Sequence, residues 1–312
     1  MDFLENRRLL VRVANMYYEE GATQSDIAEA IGVSRSLVSK YLTKARELGI
    51  VEITIHDDYQ QQHRTLERKL ERLYGLREAF CIDTVGQEAA KKHLGEAASK
   101  YLLRVMKDDQ IIGLSSGTTL SEIAKALNSP QIYPNATFIP MVGGMGDERV
   151  DIHANTLAAR IGDTMQAKYE LLHVPVMVDT KEAKEILMRQ PSIKQKFEIA
   201  EKANIALVGI GGSPDYSTMV KTYLGKEYQN IKDDNSIVGD ICYNFINKYG
   251  KPVNNLWNDR VLALDLEKLK KIPLVIGVAS GLEKVDAIQA ALIGDLIDVL
   301  ITDEETGNAL LQ

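Results

Sequence analysis

Only two cysteines occur in 312 residues, Cys81 and Cys242. They stand far apart, without CxxC or Cys/His spacing, so neither a disulfide framework nor a bound metal is expected. Both read as reduced, buried thiols. No apolar run is long enough to span a bilayer, and residues 1–18 lack the apolar stretch of a signal peptide. A cytoplasmic protein with no membrane partner is the expectation. Positive charge is also short: 37 Lys and Arg face 44 Asp and Glu, a formal net charge of -7. That excludes a protein that coats nucleic acid nonspecifically. There is no P-loop lysine and no GxSxG nucleophile elbow, and Asp108–Asp109 and Asp233–Asp234 read as solvated turns. His153 and His173 have no evident partner, and His56, His63 and His93 read as surface residues.

What is present suffices for two domains with ordinary cores, since the chain is about twice the usual domain size. Residues 4–18 read as a helix with Leu9, Leu10, Val13 and Met16 or Tyr17 on one face. The following stretch from Thr23 to Leu42 reads as two crossing helices. Thr23 is placed to cap the first, with Asp26 in its first turn and Ile27, Ala28 and Ile31 on its apolar face. Small Ala28 permits close approach, Gly32 permits positive φ, and Ser34 caps a second helix with Leu37, Val38, Tyr41 and Leu42 inward. This is a helix-turn-helix corner. The outer face carries the types that reach base edges and phosphates. Candidate DNA contacts are Thr23, Gln24, Ser34, Arg35, Ser36, Ser39, Lys40 and Lys44. An αα-corner of a helical domain is the blander alternative. Basic residues here (Arg7, Arg8, Arg12, Arg35, Lys40, Lys44, Arg46) are nearly matched by acidic ones, so one copy should bind DNA weakly. Two or more copies on a symmetric operator would supply the affinity. A β-rich stretch, 50–55, could add a wing.

The small domain is expected to span residues 1–56. A linker or dimerisation helix is expected over 57–76, where Leu66, Leu70 and Leu73 form a stripe able either to pair with a second copy or to pack on the larger domain. From residue 77 to 312, short apolar runs at 79–82, 111–114, 138–142, 170–174, 206–210, 274–278 and 299–302 alternate with helices at 87–106, 119–127, 155–165, 198–203 and 284–293. Runs without strict alternation suit strands buried on both faces, so an α/β fold with a mostly parallel, doubly wound sheet is expected. In such sheets ligands sit beyond the carboxyl ends of strands. Four loops there carry glycine: Leu114–Leu120, Met141–Gly146, Gly209–Ser213 and Ala279–Lys284. In the first, Gly117 permits close approach, the hydroxyls of Ser115, Ser116, Thr118 and Thr119 can donate, and the next helix offers free N–H groups to an anion. Lys284, in the first turn of a helix, opposes the helix dipole unless an anion lies near.

These features together resemble a known family. The corner TQSDIAEAIGVSRSLVSKYL, followed in order by SerGlyThrThr (116–119), GlyGlyMetGly (143–146), AlaAsnThrLeu (154–157), ValGlyAspIle (238–241), AsnAspArgVal (258–261), GlyLeuGluLys (281–284) and ValLeuIleThrAspGluGluThr (299–306), is similar to the SorC family of bacterial sugar-responsive transcriptional regulators. The resemblance implies a large domain similar to sugar-phosphate isomerases, glucosamine-phosphate deaminases and CoA transferases. It also implies a homo-oligomer, dimer or tetramer, that binds operator DNA under control of a phosphorylated sugar, with no other cofactor. By matching position, Ser116, Gly117, Thr118 and Thr119 would hold the phosphate, and Gly143 and Gly144 would admit the ligand close to backbone. Asn155 belongs to the same implied site, Asp240 would accept from sugar hydroxyls and Lys284 would add charge. Some members carry Lys or Arg just before the GlyGly, for an imine or a second phosphate. Here Met141 and Val142 stand there, which points to a non-covalently bound monophosphate. The rival class is a sugar-phosphate isomerase or deaminase fused to a DNA-binding domain, for which Asp240 is the one placed base. A DNA-binding module with a purely structural oligomerisation domain is a third.

Overall fold

The computed structural model describes residues 3–51, 63–83, 86–129, 131–144, 146, 149–216, 231, 234 and 236–312. The chain forms two compact units, Met1–Gln61 and Gln62–Gln312.

In the first unit α1 (Phe3–Tyr18), α2 (Gln24–Ile31) and α3 (Arg35–Glu47) follow from local chemistry. Thr23 and Asp26 form a reciprocal capping box: the Asp26 N–H donates to Thr23 Oγ1 at 3.3 Å and the Thr23 N–H donates to Asp26 Oδ2 at 3.0 Å. Gly32 ends α2 with φ +69°, and Ser34 Oγ accepts from the Leu37 N–H at 3.3 Å to start α3. Val13, Ile27, Ala28, Val38 and Leu42 form the buried centre, with Ile31 and Tyr41 packed against it. A side chain at Gly32 would meet nothing within 4 Å, so only backbone conformation opposes one. Gly32→Ala is therefore expected to cost about 1 kcal/mol, and Gly32→Asn about half that, by denaturant unfolding. The wing expected over 50–55 lies largely outside the described residues. Ile50 and Val51 pack against Leu10, Ala14 and Ala45, in no strand.

The second unit opens with α4 (Arg64–Tyr74), which is stapled to β1 (Glu78–Ile82). Glu67 accepts from the Cys81 N–H at 2.9 Å and Glu71 from the Ala79 N–H at 3.1 Å. Leu66 and Leu70 are buried in this unit's own core, and Leu73 is exposed. Of the two uses open to that stripe, packing onto the larger domain takes its first two leucines. His63 is a correction: it is buried, with Nε2 2.9 Å from Asp83 Oδ1, because the start of α4 docks at the end of β1. His93 is exposed.

Among the described residues the main sheet has seven parallel strands: β1, β2 (Ile111–Leu114), β3 (Thr137–Pro140), β4 (Lys168–Tyr169), β5 (Ile205–Gly211), β8 (Val275–Val278) and β9 (Val299–Asp303). Their order is β1-β9-β8-β5-β2-β3-β4. Successive residues of β5 alternate between two core clusters, Ile205 and Leu207 in one and Ala206 and Val208 in the other, as a doubly covered strand requires. The described α-helices of this unit after α4 are α5 (Gln87–Val105), α6 (Thr118–Ala126), α7 (Ala154–Met165), α8 (Lys181–Arg189), α9 (Pro191–Ala200), α10 (Leu256–Arg260), α11 (Leu266–Leu269), α12 (Val285–Ile293) and α13 (Glu304–Ala309).

Two differences from expectation have local causes. The run at 170–174 forms no strand, because the Asn155 side chain takes both the N–H and the carbonyl of Leu172, at 2.8 and 3.0 Å. Helix α9 begins earlier than expected, at Pro191 in its first turn. An additional antiparallel hairpin, β6 (Gly239–Ile241) and β7 (Asn244–Ile246), attaches to the end of β5.

From β2 the chain moves outward through β3 to β4, then returns to place β5 on the other flank of β2. The gap between β2 and β5 is thus a topological switch point, where loops from both strands turn apart and leave a crevice.

Candidate functional site

On the first unit, Ser34, Arg35, Ser36, Ser39 and Lys40 are exposed on one side of α3, opposite buried Val38 and Leu42. Arg35 joins Tyr17, Thr23, Gln24 and Ser25 around a shallow groove at the start of α2, whose first-turn N–H groups suit a phosphate. The remaining candidates are less free. Thr23 Oγ1 donates to Asp26 Oδ2 at 2.7 Å, and the Ser34 and Ser36 hydroxyls lie 3.0 Å apart. Lys44 pairs with Glu47 at 2.9 Å, so its charge is locally balanced.

On the second unit, a cavity of about 120 Å³ opens at the switch point. The loop after β2 supplies Ser115 to Thr119, the end of β5 supplies Gly209 to Gly212, the β6–β7 hairpin supplies Asp240, Cys242 and Tyr243, and Lys284 enters from the turn before α12. Gly117, at φ +130°, starts α6. Its N–H donates to the Ile152 carbonyl at 3.0 Å, and the Ser121 N–H returns to the Gly117 carbonyl at 3.0 Å. Between them the N–H groups of Thr118, Thr119 and Leu120 have no acceptor among the described residues. They form the first turn of a nine-residue helix, an arrangement that holds an anion.

Asp240 faces this turn from a buried position. A Cβ on Gly211 would lie 2.0 Å from Asp240 Oδ1, so glycine there makes room for the carboxylate. Burial pushes the Asp240 carboxyl up to about 6, against the opposing pull of Lys284 and the Tyr243 backbone N–H. Burial likewise holds the Lys284 ammonium below the ordinary lysine range, with Lys91 acting the same way and Glu283 and Asp240 opposing. Cys242 is pushed up to about 12 by burial, and Cys81 similarly, so neither is a nucleophile at neutral pH. Among the described residues the site therefore offers N–H groups for an anion, a carboxylate for hydroxyls, one lysine and several small polar groups.

A family profile described as a sugar-binding domain matches residues 59–312, and one described as winged helix-turn-helix DNA-binding matches residues 16–52. The chain is 29% identical to the sorbitol operon regulator of Klebsiella pneumoniae over 100% of both chains. It is 30% identical to the transcriptional regulator LsrR of Enterobacter sp. (strain 638), over 99% of this chain and 94% of that one. The crystal structure of full-length SorC from Klebsiella pneumoniae matches with a TM-score of 0.73 at 29% identity, covering 98% of each chain. The chain belongs to the SorC family of sugar-binding transcriptional regulators.

In this SorC-family chain, the cavity brings together Ser116, Gly117, Thr118, Thr119, Asp240 and Lys284, all expected there from sequence. Three expected residues lie elsewhere. A Cβ on Gly143 would lie 2.6 Å from the Pro175 carbonyl oxygen, so glycine serves a crossing of two backbone segments. The Gly143 and Gly144 N–H groups donate to the carbonyls of Leu262 and Val174, at 2.9 and 2.7 Å. Asn155 is fully engaged by Leu172. None of the three lines the cavity. Sequence reasoning missed Cys242 and Tyr243, whereas Gly209 to Gly212 fall in the glycine loop Gly209–Ser213 named from sequence. Met141 is fully buried beside Gly113 and also lies outside the cavity lining. Among the described residues no helix is long and apolar enough to cross a membrane.

Proposed function

We propose that this protein binds operator DNA as a cytoplasmic homo-oligomer and switches a carbohydrate catabolic operon when a sugar monophosphate binds, non-covalently, in the switch-point cavity. The observation that carries this reading is the pairing of an open helix N-terminus with a buried carboxylate across one cavity. The Thr118–Leu120 turn suits a phosphate, and Asp240 suits hydroxyls. Among the described residues of the lining, Lys284 is the one positive charge, which matches one phosphate better than two. Relatives are regulators named for sorbitol and for deoxyribonucleosides, and both names suit a polyhydroxylated ligand. On the DNA side, Arg35 and Lys40 would read the operator, with symmetry supplying the affinity that one nearly neutral module lacks. The effector would act by contacting two assembly states unequally.

Operator fragments titrated with protein, in the presence and absence of three- to six-carbon sugar phosphates, test the reading. One or more of them is expected to change operator affinity at least about fivefold, the lower end of allosteric coupling. No change in affinity or assembly with any of them would refute it. Asp240 and Lys284 also make a second reading concrete, since a carboxyl raised towards neutrality beside a lysine lowered towards it is the acid–base pair an isomerase needs. Turnover of ribose or glucosamine phosphates would establish that reading.

A further inference from the structure

Cys242 and Tyr243 are the central pair of the β6–β7 turn, and both adopt left-handed backbone, with φ +49° and +62°. Hairpin turns of this kind favour Asn-Gly, and a bulky residue there is strained unless its surroundings hold it. They do hold it here. Trp257 Nε1 donates to the Tyr243 carbonyl at 2.7 Å, and Asn244 Nδ2 donates to the carbonyls of Cys242 and Leu264 at 3.0 and 3.1 Å. Glycine would satisfy the same backbone without strain. The reason for a tyrosine therefore lies in its side chain.

That side chain is buried, lines the cavity and shares a hydrogen bond between its hydroxyl and that of Ser116. The bond ties the loop after β2 to the hairpin on β5, across the crevice between them. The space left is about 120 Å³, well below the roughly 300 Å³ at the lower end of small-molecule sites. We propose that Tyr243 sets the size limit of the effector: its ring, moored to Ser116, closes one side of the cavity, so that compact sugar monophosphates enter and bulky ones do not. This rests on the sugar-phosphate reading above and goes further, since it assigns ligand selection to one side chain.

The test compares the full chain with Tyr243→Gly and Tyr243→Phe, measuring calorimetric affinity for glycerol 3-phosphate, ribose 5-phosphate, glucose 6-phosphate and N-acetylglucosamine 6-phosphate. The wild type is expected to favour the two smaller probes. Tyr243→Gly is expected to gain about tenfold for the two larger probes while staying within about threefold for glycerol 3-phosphate. Tyr243→Phe keeps the ring and is expected to retain the wild-type ranking. Should the glycine variant fail to fold, Tyr243→Asn, which also tolerates left-handed backbone, takes its place. An unchanged ranking after ring removal overturns the size-limit role alone and leaves the sugar-phosphate reading standing. So does equal loss of all four probes, which would make Tyr243 a general ligand contact. Failure of every probe to bind any of the proteins overturns both.

Discussion

Asp240→Asn is expected to make the protein more stable at pH 8 and to weaken its response to a sugar phosphate. The Asp240 carboxyl, raised from the ordinary aspartate value to about 6, binds its proton more tightly in the folded than in the unfolded chain. Its contribution is therefore fully present below the unfolded value near 3.8 and is lost as pH rises through about 6. Above that, the folded state carries an ionised, buried carboxylate, and holding it there costs on the order of 3 kcal/mol. Asparagine can still accept from the Tyr243 N–H and removes the charge, while Lys284 loses a favourable neighbour, which offsets part of the gain. A net stabilisation of about 1–2 kcal/mol at pH 8, shrinking to nothing by about pH 4, is the expected result in urea unfolding. Ligand binding should move the other way. Loss of a charged acceptor for sugar hydroxyls removes about 1.5–3 kcal/mol, roughly a 10- to 100-fold weaker response. A variant less stable than the wild type at pH 8 would show that Asp240 is held ionised by structure at no cost.

Arg35→Ala is expected to weaken operator binding severely at physiological salt without unfolding the protein. Arg35 is exposed at the first position of α3, beside the groove at the start of α2, so alanine leaves the core untouched. One guanidinium contact to a base edge or phosphate is worth about 1–3 kcal/mol. Two copies on a symmetric site double that, giving a loss of roughly 30-fold to 10⁴-fold. Lys44→Ala is expected to cost far less, because Glu47 already engages that charge. Fluorescence anisotropy on an operator fragment, with circular dichroism as the folding control, distinguishes the two. Equal losses for Arg35 and Lys44 would place the DNA face elsewhere on α3.

How far the sequence reached depended on the range of the forces involved. The helix-turn-helix was legible because its determinants are local. A threonine three residues before an aspartate, a glycine that tolerates left-handed backbone, and a serine three residues before a leucine each act within one turn of chain. Strands β2, β5, β8 and β9 were legible for a related reason: burial on both faces demands unbroken apolar runs. The loop after β2 was legible as a candidate anion site, since Gly117 and its hydroxyl neighbours sit directly between strand and helix.

Where glycine or asparagine appeared in a promising loop, however, sequence could not tell a ligand's approach from a neighbouring segment's. Gly143 makes room for Pro175, thirty-two residues on, and Asn155 satisfies Leu172. The β6–β7 hairpin escaped notice because its strands have three residues each and its turn lacks the usual Asn-Gly. It is held by Trp257 and Asn244, through bonds to carbonyls that only the folded chain presents.

By itself, then, the sequence determined the caps and periodicities that build the elements and the loop that suits an anion, because each is encoded within a few residues. Tertiary structure alone decided which loops meet. Strand order puts β2 beside β5, which brings Ser116 to Tyr243 across 127 residues of chain, and burial in that crevice moves the Asp240 carboxyl towards neutrality.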